Sequence, residues 1–314
     1  MVMRRAMLGM VLAGPALAQG RRLRLVVPYG AGSGPDLFAR SFAALLAARL
    51  EEAVVVDNRP GASTLIGAEH VQAAAPDGRT LLLGTSTTFC TNPVLFRRLP
   101  YDPARFTAIT PVLRTRLALY ASPSVPARDV AGALALARAA REPLHYGMTG
   151  RGNCTHLTGE ALKSAAGIEL QDVLYRGTGI LQQGIVRGDI PLAIDGIPAW
   201  LPLAADGRVR VLAVTGEGRV GALPDVPSFA EAGLADMGRN HWYGLFAPQG
   251  LAAPVLARLH AAAVAVMADA PAWARLVHEG GEIETRAPPA FAAMVAEERD
   301  AWGAVIRRIG LVLD

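Results

Sequence analysis

Two short stretches hold residue types suited to gripping an anion. The first, Tyr29-Gly30-Ala31-Gly32-Ser33-Gly34-Pro35-Asp36, follows the apolar run Leu25-Val26-Val27 and precedes a helical pattern. Its glycines permit positive φ and close backbone approach, and a helix starting near Pro35 adds unpaired amides and the positive end of its dipole. Such a loop suits a phosphate or a carboxylate. The second, Thr85-Ser86-Thr87-Thr88, is a run of hydroxyls after the strand-like Thr80–Gly84. It serves equally as a helix cap or as a set of ligand contacts.

The elements around these stretches read as α/β. Apolar positions at Leu37, Phe38, Leu45 and Leu46 form a helical stripe over 36–50, and Ala53–Val56 is a short β-branched run of the kind a buried parallel strand shows. Strand, helix and strand make a βαβ unit. Ser63 is placed to cap a helix reaching Ala75, Pro76-Asp77-Gly78 turns into the next strand, and Asn92-Pro93 with Leu99–Pro103 reads as a rigid surface connection. Strands at 109–112 and 117–121 lead to Ser122–Pro126, which reads as the crossing to a second α/β series.

That series alternates a helix at 130–140, a strand at 144–147, a helix at 154–166, strands at 172–174 and 190–194, and a strand at 209–214. Its loops at 148–153, 175–179 and 195–196 again follow strands, and ligands in open α/β sheets lie beyond the carboxyl ends of strands. His241–Phe246 reads as a strand returning to the first half, and three proline-started helices close the chain. The organisation expected is residues 1–18 as a signal peptide, 19–121 with 240–314 as a discontinuous first domain, and 122–239 as the second.

The signal peptide rests on Arg4-Arg5, the apolar Ala6–Ala13 and the small residues Ala16 and Ala18, with cleavage after Ala18. Export from the cytoplasm follows from it. Removing both arginines lowers the formal charge from +4 to +2. The remaining cations are scattered arginines, with Lys163 the only lysine, and form no basic run of the kind nucleic acid binds. Composition that is 52% apolar and 18% charged describes a globular chain, and 314 residues exceed what one core usually serves. Cys90 and Cys154 do not make a disulfide framework, and both are expected as free thiols.

Catalytic readings are weak. The glycine loop with Asp57 resembles a dinucleotide site, which would make the protein an oxidoreductase. Its spacing is G-x-G-x-G rather than G-x-G-x-x-G, Asp36 puts negative charge beside a pyrophosphate, and export removes the protein from nicotinamide cofactors. No G-x-S-x-G surrounds Ser33, and the six histidines show no zinc spacing. No metal, cofactor or catalytic residue is assigned. Several polar loops aimed at one cleft describe a solute receptor better.

The motifs as a set resemble those of the Bug family, the periplasmic substrate-binding proteins of tripartite tricarboxylate transporters. Val27–Asp36 is similar to the family's V-P-[FY]-x-x-G-G-x-x-D loop, and Asp57–Ala62 with Ile66–Glu69 to its N-R-P-G-A and I-G-A stretch. Asn92-Pro93, Leu99–Pro103, Leu212–Thr215, Leu223–Pro227, Glu231–Gly233 and Trp242–Pro248 follow in family order. The resemblance runs from about Arg24 nearly to the C-terminus. It implies a type II periplasmic-binding-protein fold, two α/β domains joined by a hinge with a ligand cleft between them.

It also implies a small carboxylated solute, no cofactor, and a monomer delivering to a membrane permease; a periplasmic sensor domain is the alternative partner. The implied ligand residues are Tyr29, Gly30, Ala31, Gly32, Ser33, Gly34 and Asp36 in one jaw, with Thr85, Ser86 and Thr87 beside it. From the second domain come Thr149, Arg151, Asn153, Thr155 and His156, then Tyr175, and Asp195, suited to a polar end of the solute or to ordering a water. Arg151, Asn153 and Cys154 replace small residues of the family pattern, Gly196 replaces an asparagine, and His241 replaces a small polar residue. Amides of 30–36 and 153–156 are expected to grip carboxylates, with Arg151 pairing a second one.

Overall fold

In the computed structural model of the protein, residues 22–234, 237 and 241–313 are described. The signal peptide read at 1–18 lies outside them. The first sheet is built from β1 (Arg22–Val27), β2 (Ala53–Asn58), β3 (Thr80–Thr85), β4 (Phe106–Thr115), β10 (His241–Pro248) and β11 (Gly281–Ile283), in the order β11-β4-β10-β3-β1-β2. The pairs of β1 with β2 and with β3 are parallel, whereas β10 runs antiparallel to both β3 and β4.

Side chains along a strand alternate between faces, so each sheet needs two covers. Leu23, Leu25 and Val27 pack under α1 (Gly34–Leu50), α8 (Ala253–Met267) and α9 (Ala270–His278). Val26 and Leu82 point the other way, into a core shared with α2 (Leu65–Gln72), α3 (Asn92–Leu95) and α10 (Pro288–Ile309). Both faces are closed.

The second sheet has the order β7-β6-β8-β5-β9, from β5 (Leu117–Ala121), β6 (Leu144–Met148), β7 (Leu170–Leu174), β8 (Leu192–Gly196) and β9 (Arg210–Val214). Leu117, Leu119 and Ala121 face the core beneath α4 (Val130–Ala139) and α5 (Cys154–Ala166), while Ala118 and Tyr120 face α6 (Thr178–Arg187) and α7 (Leu201–Ala205). Leu157 of α5 packs into the first lobe's core.

Three sequence expectations are corrected. Leu117–Ala121 belongs to the second sheet, paired with β8 and β9, so the first crossing falls at Arg116 rather than at Ser122. Arg116 bridges the lobes there, donating to Glu282 Oε1 at 2.7 Å and to the Gly218 carbonyl at 2.9 Å. The return crossing falls between Met237, buried in the second core, and His241. Ser63 does not cap α2: it and Thr64 hold positive φ, and the helix begins at Leu65. Asn92 is buried rather than on the surface, because its amide donates to the Ser63 carbonyl at 2.6 Å and ties two loops together.

Candidate functional site

β1 and β3 end at one edge of the first sheet, and β10, running antiparallel, starts there. Tyr243 lies opposite Thr85. The glycine loop, the threonine stretch and His241–Tyr243 therefore share that edge.

In the glycine loop, Gly30, Ala31, Gly32 and Gly34 are exposed and Ser33 is half-buried. Gly32 holds φ +79°, a conformation that favours glycine. Ser33 turns its hydroxyl onto the Gly30 carbonyl at 2.7 Å and makes no capping bond to α1. Its hydroxyl thus leaves the helix amides free for another acceptor. Asp36 faces inward and is 1% exposed. Its carboxylate accepts from the Gly32 amide at 2.8 Å, Arg40 Nε at 3.0 Å and Asn58 Nδ2 at 2.8 Å. Burial works against its charge, but these three donors outweigh it and hold the carboxyl below its ordinary value. Asp36, expected among the ligand contacts, is the anchor of the loop. Asp36→Ala should weaken ligand binding at least about tenfold while leaving a folded protein, as calorimetry and thermal unfolding would register.

Behind the loop, the Tyr29 hydroxyl sits 3.4 Å from Thr85 Oγ1. Burial pushes its phenol up to about 12, with the Thr85 bond opposing. The stretch after β3 is not an open loop. Thr87–Thr91 forms a buried π-helical turn, in which Thr88 bonds the hydroxyls of Thr64 at 2.9 Å and Thr85 at 3.3 Å. Thr87 Oγ1 is buried beside the Tyr29 phenol and, with Thr85, opposes the rise in its pKa. Ser86 bonds His241 Nδ1 at 2.6 Å, and burial lowers that imidazole to about 4, so the ring is neutral.

In the second lobe, Gly152 at φ +73° shapes the loop before α5, close to Leu95 of the first lobe: a methyl there would stand 2.5 Å from Leu95 Cδ1. Asn153 caps α5, accepting from the amides of Thr155 at 3.0 Å and His156 at 3.1 Å and from the Thr155 hydroxyl at 2.8 Å. Those two amides, expected to meet a carboxylate, are already occupied. His156 is buried and its Nδ1 accepts from the Gly152 amide at 3.0 Å, so it braces the loop; burial lowers its pKa. Thr149 donates its amide to Thr155 Oγ1 at 3.1 Å. Arg151 turns to Asp172, Nη2 to Oδ2 3.3 Å, with its side chain 54% exposed. It is an ion-paired arginine behind the loop.

Tyr175 packs its ring against Gly147 and Gly184 under α6. Asp195 is 7% exposed, accepting from the neighbouring Gly196 amide at 2.9 Å and Trp200 Nε1 at 3.2 Å; burial raises its pKa. Its charge reaches Cys154, whose thiol burial pushes up to about 12, and Tyr243 across the cleft, which burial and the Tyr29 and Cys154 groups also push up. The cleft thus juxtaposes Tyr29 and Tyr243 with Cys154 and Asp195. Tyr243 was missed by sequence reasoning, although its place opposite Thr85 follows once β10 is paired with β3. Both cysteines are free, and among the described residues no group of three or more His, Cys, Asp or Glu is placed to hold a metal ion.

The chain resembles known proteins over nearly its whole length. Residues 38–311 match the TctC family, described as tripartite tricarboxylate transporter family receptor. A curated relative, a UPF0065 protein of Bordetella bronchiseptica, is 34% identical over 282 residues, covering 89% of this chain and 83% of its own. Among solved structures, R. palustris Rpa4515 with adipate is 31% identical with TM-score 0.86, covering 93% of this chain and 98% of that one. MatC from Rhodopseudomonas palustris with bound malate is 29% identical with TM-score 0.81, covering 91% and 99%. The matched family is one of receptors, which bind rather than transform, and the two-sheet α/β fold is shared with these solved structures. The chain belongs to the tripartite tricarboxylate transporter receptors, the Bug family.

Proposed function

We propose that the protein is a periplasmic receptor that closes two lobes around a small carboxylated solute and presents the closed form, as a monomer, to the permease of a tripartite transporter. The observation that carries this is the glycine loop: a backbone cradle at a helix start, braced from behind by a buried carboxylate, on the sheet edge that faces the second lobe. Relatives solved with adipate and malate support an acid as the solute. Charge-assisted hydrogen bonds contribute about 1.5–3 kcal/mol each, so a few amides suffice once ordering costs are subtracted.

In this reading residues 30–34 contact the acid, Tyr29, Thr85, Ser86 and Thr87 line the first lobe, and the loop from Thr149 with Asp195 closes from the second. Asp36, Asn153, Thr155, His156 and Tyr175 set the geometry. Export with cleavage after Ala18 brings the receptor to its solute, and closure signals occupancy because the solute favours the closed state.

A thermal-shift screen of mono-, di- and tricarboxylates tests it. An acid at a hundred times its Kd stabilises the native state by about 2.7 kcal/mol; stabilisation by none of them sinks the proposal. Because Arg151 is held by Asp172, Arg151→Ala should leave the affinity within about twofold by calorimetry, a change of under about 0.5 kcal/mol.

A further inference from the structure

α5 of the second lobe and α10 of the first run beside each other across the boundary between the lobes. Near the start of α5, Leu157 is fully buried in the first lobe's core, which also holds Trp302 and Ile306 of α10. Further along, contact gives way to space. Ala161 and Ala165 of α5 with Ala301 and Ala304 of α10 line a cavity of about 520 Å³. Packed helices lie about 8–10 Å apart, and methyl side chains on both would let them stand at the near end of that range. Ala165 lies about 16 Å along the helix from Cys154, so the cavity is separate from the cleft.

Two groups in its lining lack a counterpart. Trp302 is 4% exposed, and its indole nitrogen is buried with no hydrogen-bond partner among the described residues. Buried indole donors are ordinarily bonded. Arg308, exposed in the last turn of α10, also lines the cavity, and no carboxylate among the described residues pairs with it. A cation there complements the helix dipole, yet its guanidinium donors remain open. One free cation beside alanine and indole selects for one anionic group on an apolar body. A second charge on the ligand would lie unpaired against methyl groups, which is costly.

We infer that this cavity is a second ligand site, taking a monoanion with a compact apolar body: Arg308 meets the anionic group, and the alanines and Trp302 surround the rest. The volume falls in the range of small-molecule sites. The site goes beyond the receptor reading and does not depend on which solute the cleft takes. Because one wall comes from each lobe, an occupant touches both.

Fluorescence titration of the purified mature protein with anilinonaphthalene sulfonate, an aromatic body carrying one sulfonate, tests this against phenylnaphthylamine, the same body without the charge. The unaltered protein should bind one sulfonate dye per chain, at least about tenfold more tightly than the uncharged dye. Arg308→Gln should weaken the sulfonate dye at least about fivefold and the uncharged dye no more than about twofold. Ala304→Glu places a carboxylate one turn before Arg308 at an exposed position, which supports the helix while claiming the guanidinium and filling the space. It should weaken both dyes at least about tenfold. Ala165→Glu, also at an exposed position, blocks the opposite wall and decides the matter if Ala304→Glu does not fold. Absence of dye binding by the folded protein overturns the inference. Binding that both blocking variants leave unchanged overturns it too, because the dye then sits elsewhere. Equal loss of the two dyes in Arg308→Gln overturns the pairing of the anion with Arg308. The carboxylate screen on the unaltered protein is read separately, so failure here leaves the receptor reading intact.

Discussion

Arg114→Met should cost about 3 kcal/mol of unfolding free energy. Arg114 lies near the end of β4, with its side chain 19% exposed, and donates to Glu284 at 2.5 Å and to Glu298 at 2.8 Å. Burial opposes its charge, and the two carboxylates outweigh burial and raise its pKa. Glu298 also accepts from the Trp242 indole at 2.6 Å, so one arginine ties β4, β10 and α10 together. Methionine fills the volume and leaves two largely buried carboxylates without their shared cation. Glu284 keeps Arg286 at 2.6 Å, so Glu298 carries most of the penalty. Urea unfolding at neutral pH measures it, and adding Glu298→Gln should recover a good part. A loss below about 1 kcal/mol would mean that solvent screens the network as it does on a surface.

Acid should destabilise the protein through His241 by a similar amount. The folded state keeps the ring neutral down to about pH 4, while an unfolded chain takes up the proton near 6.5. Between those values the unfolded state binds more protons, so the stabilisation is whole above pH 6.5 and is lost as pH falls toward 4. At about 1.4 kcal/mol per pH unit the window amounts to about 3 kcal/mol. His156, lowered by burial too, adds in the same direction. His241→Asn removes one titration. Denaturation at pH 7 and pH 4.5 should show a smaller acid loss in the variant than in the parent; equal losses would show that other groups govern the response.

Much of the fold was legible because it depends on local pattern. The helix over Cys154–Ala166 has the bounds its sequence suggests, and the strands fall where β-branched runs end in glycine or polar residues. The position of Leu117–Ala121 was not legible. An apolar run carries no label for the sheet that takes it, and only pairing with β8 and β9 decides.

The site divides in the same way. Its loops were readable from glycine and hydroxyl content, but the roles within them were not. Asp36 and Asn153 have the residue types that contact ligands, yet both are consumed by amides a few residues away and, for Asp36, by Asn58. Arg151 finds Asp172 only once β6 and β7 lie side by side. Residue type announces capacity to bond; the fold decides which partner arrives first.

Motion of one lobe is felt at a distance through the strand that leads into the other. β4 ends at Thr115 and β5 begins at Leu117, with strands on both sides of β5, so Arg116 alone separates ladder from ladder. Its guanidinium is clamped to Glu282 on one side and the Gly218 carbonyl on the other. At this point there is no slack to absorb rotation. At this crossing, one of the two between the halves, torque passes through a single residue's backbone, like an axle rather than a leash, and a permease docked across both halves would read an angle instead of a loose average.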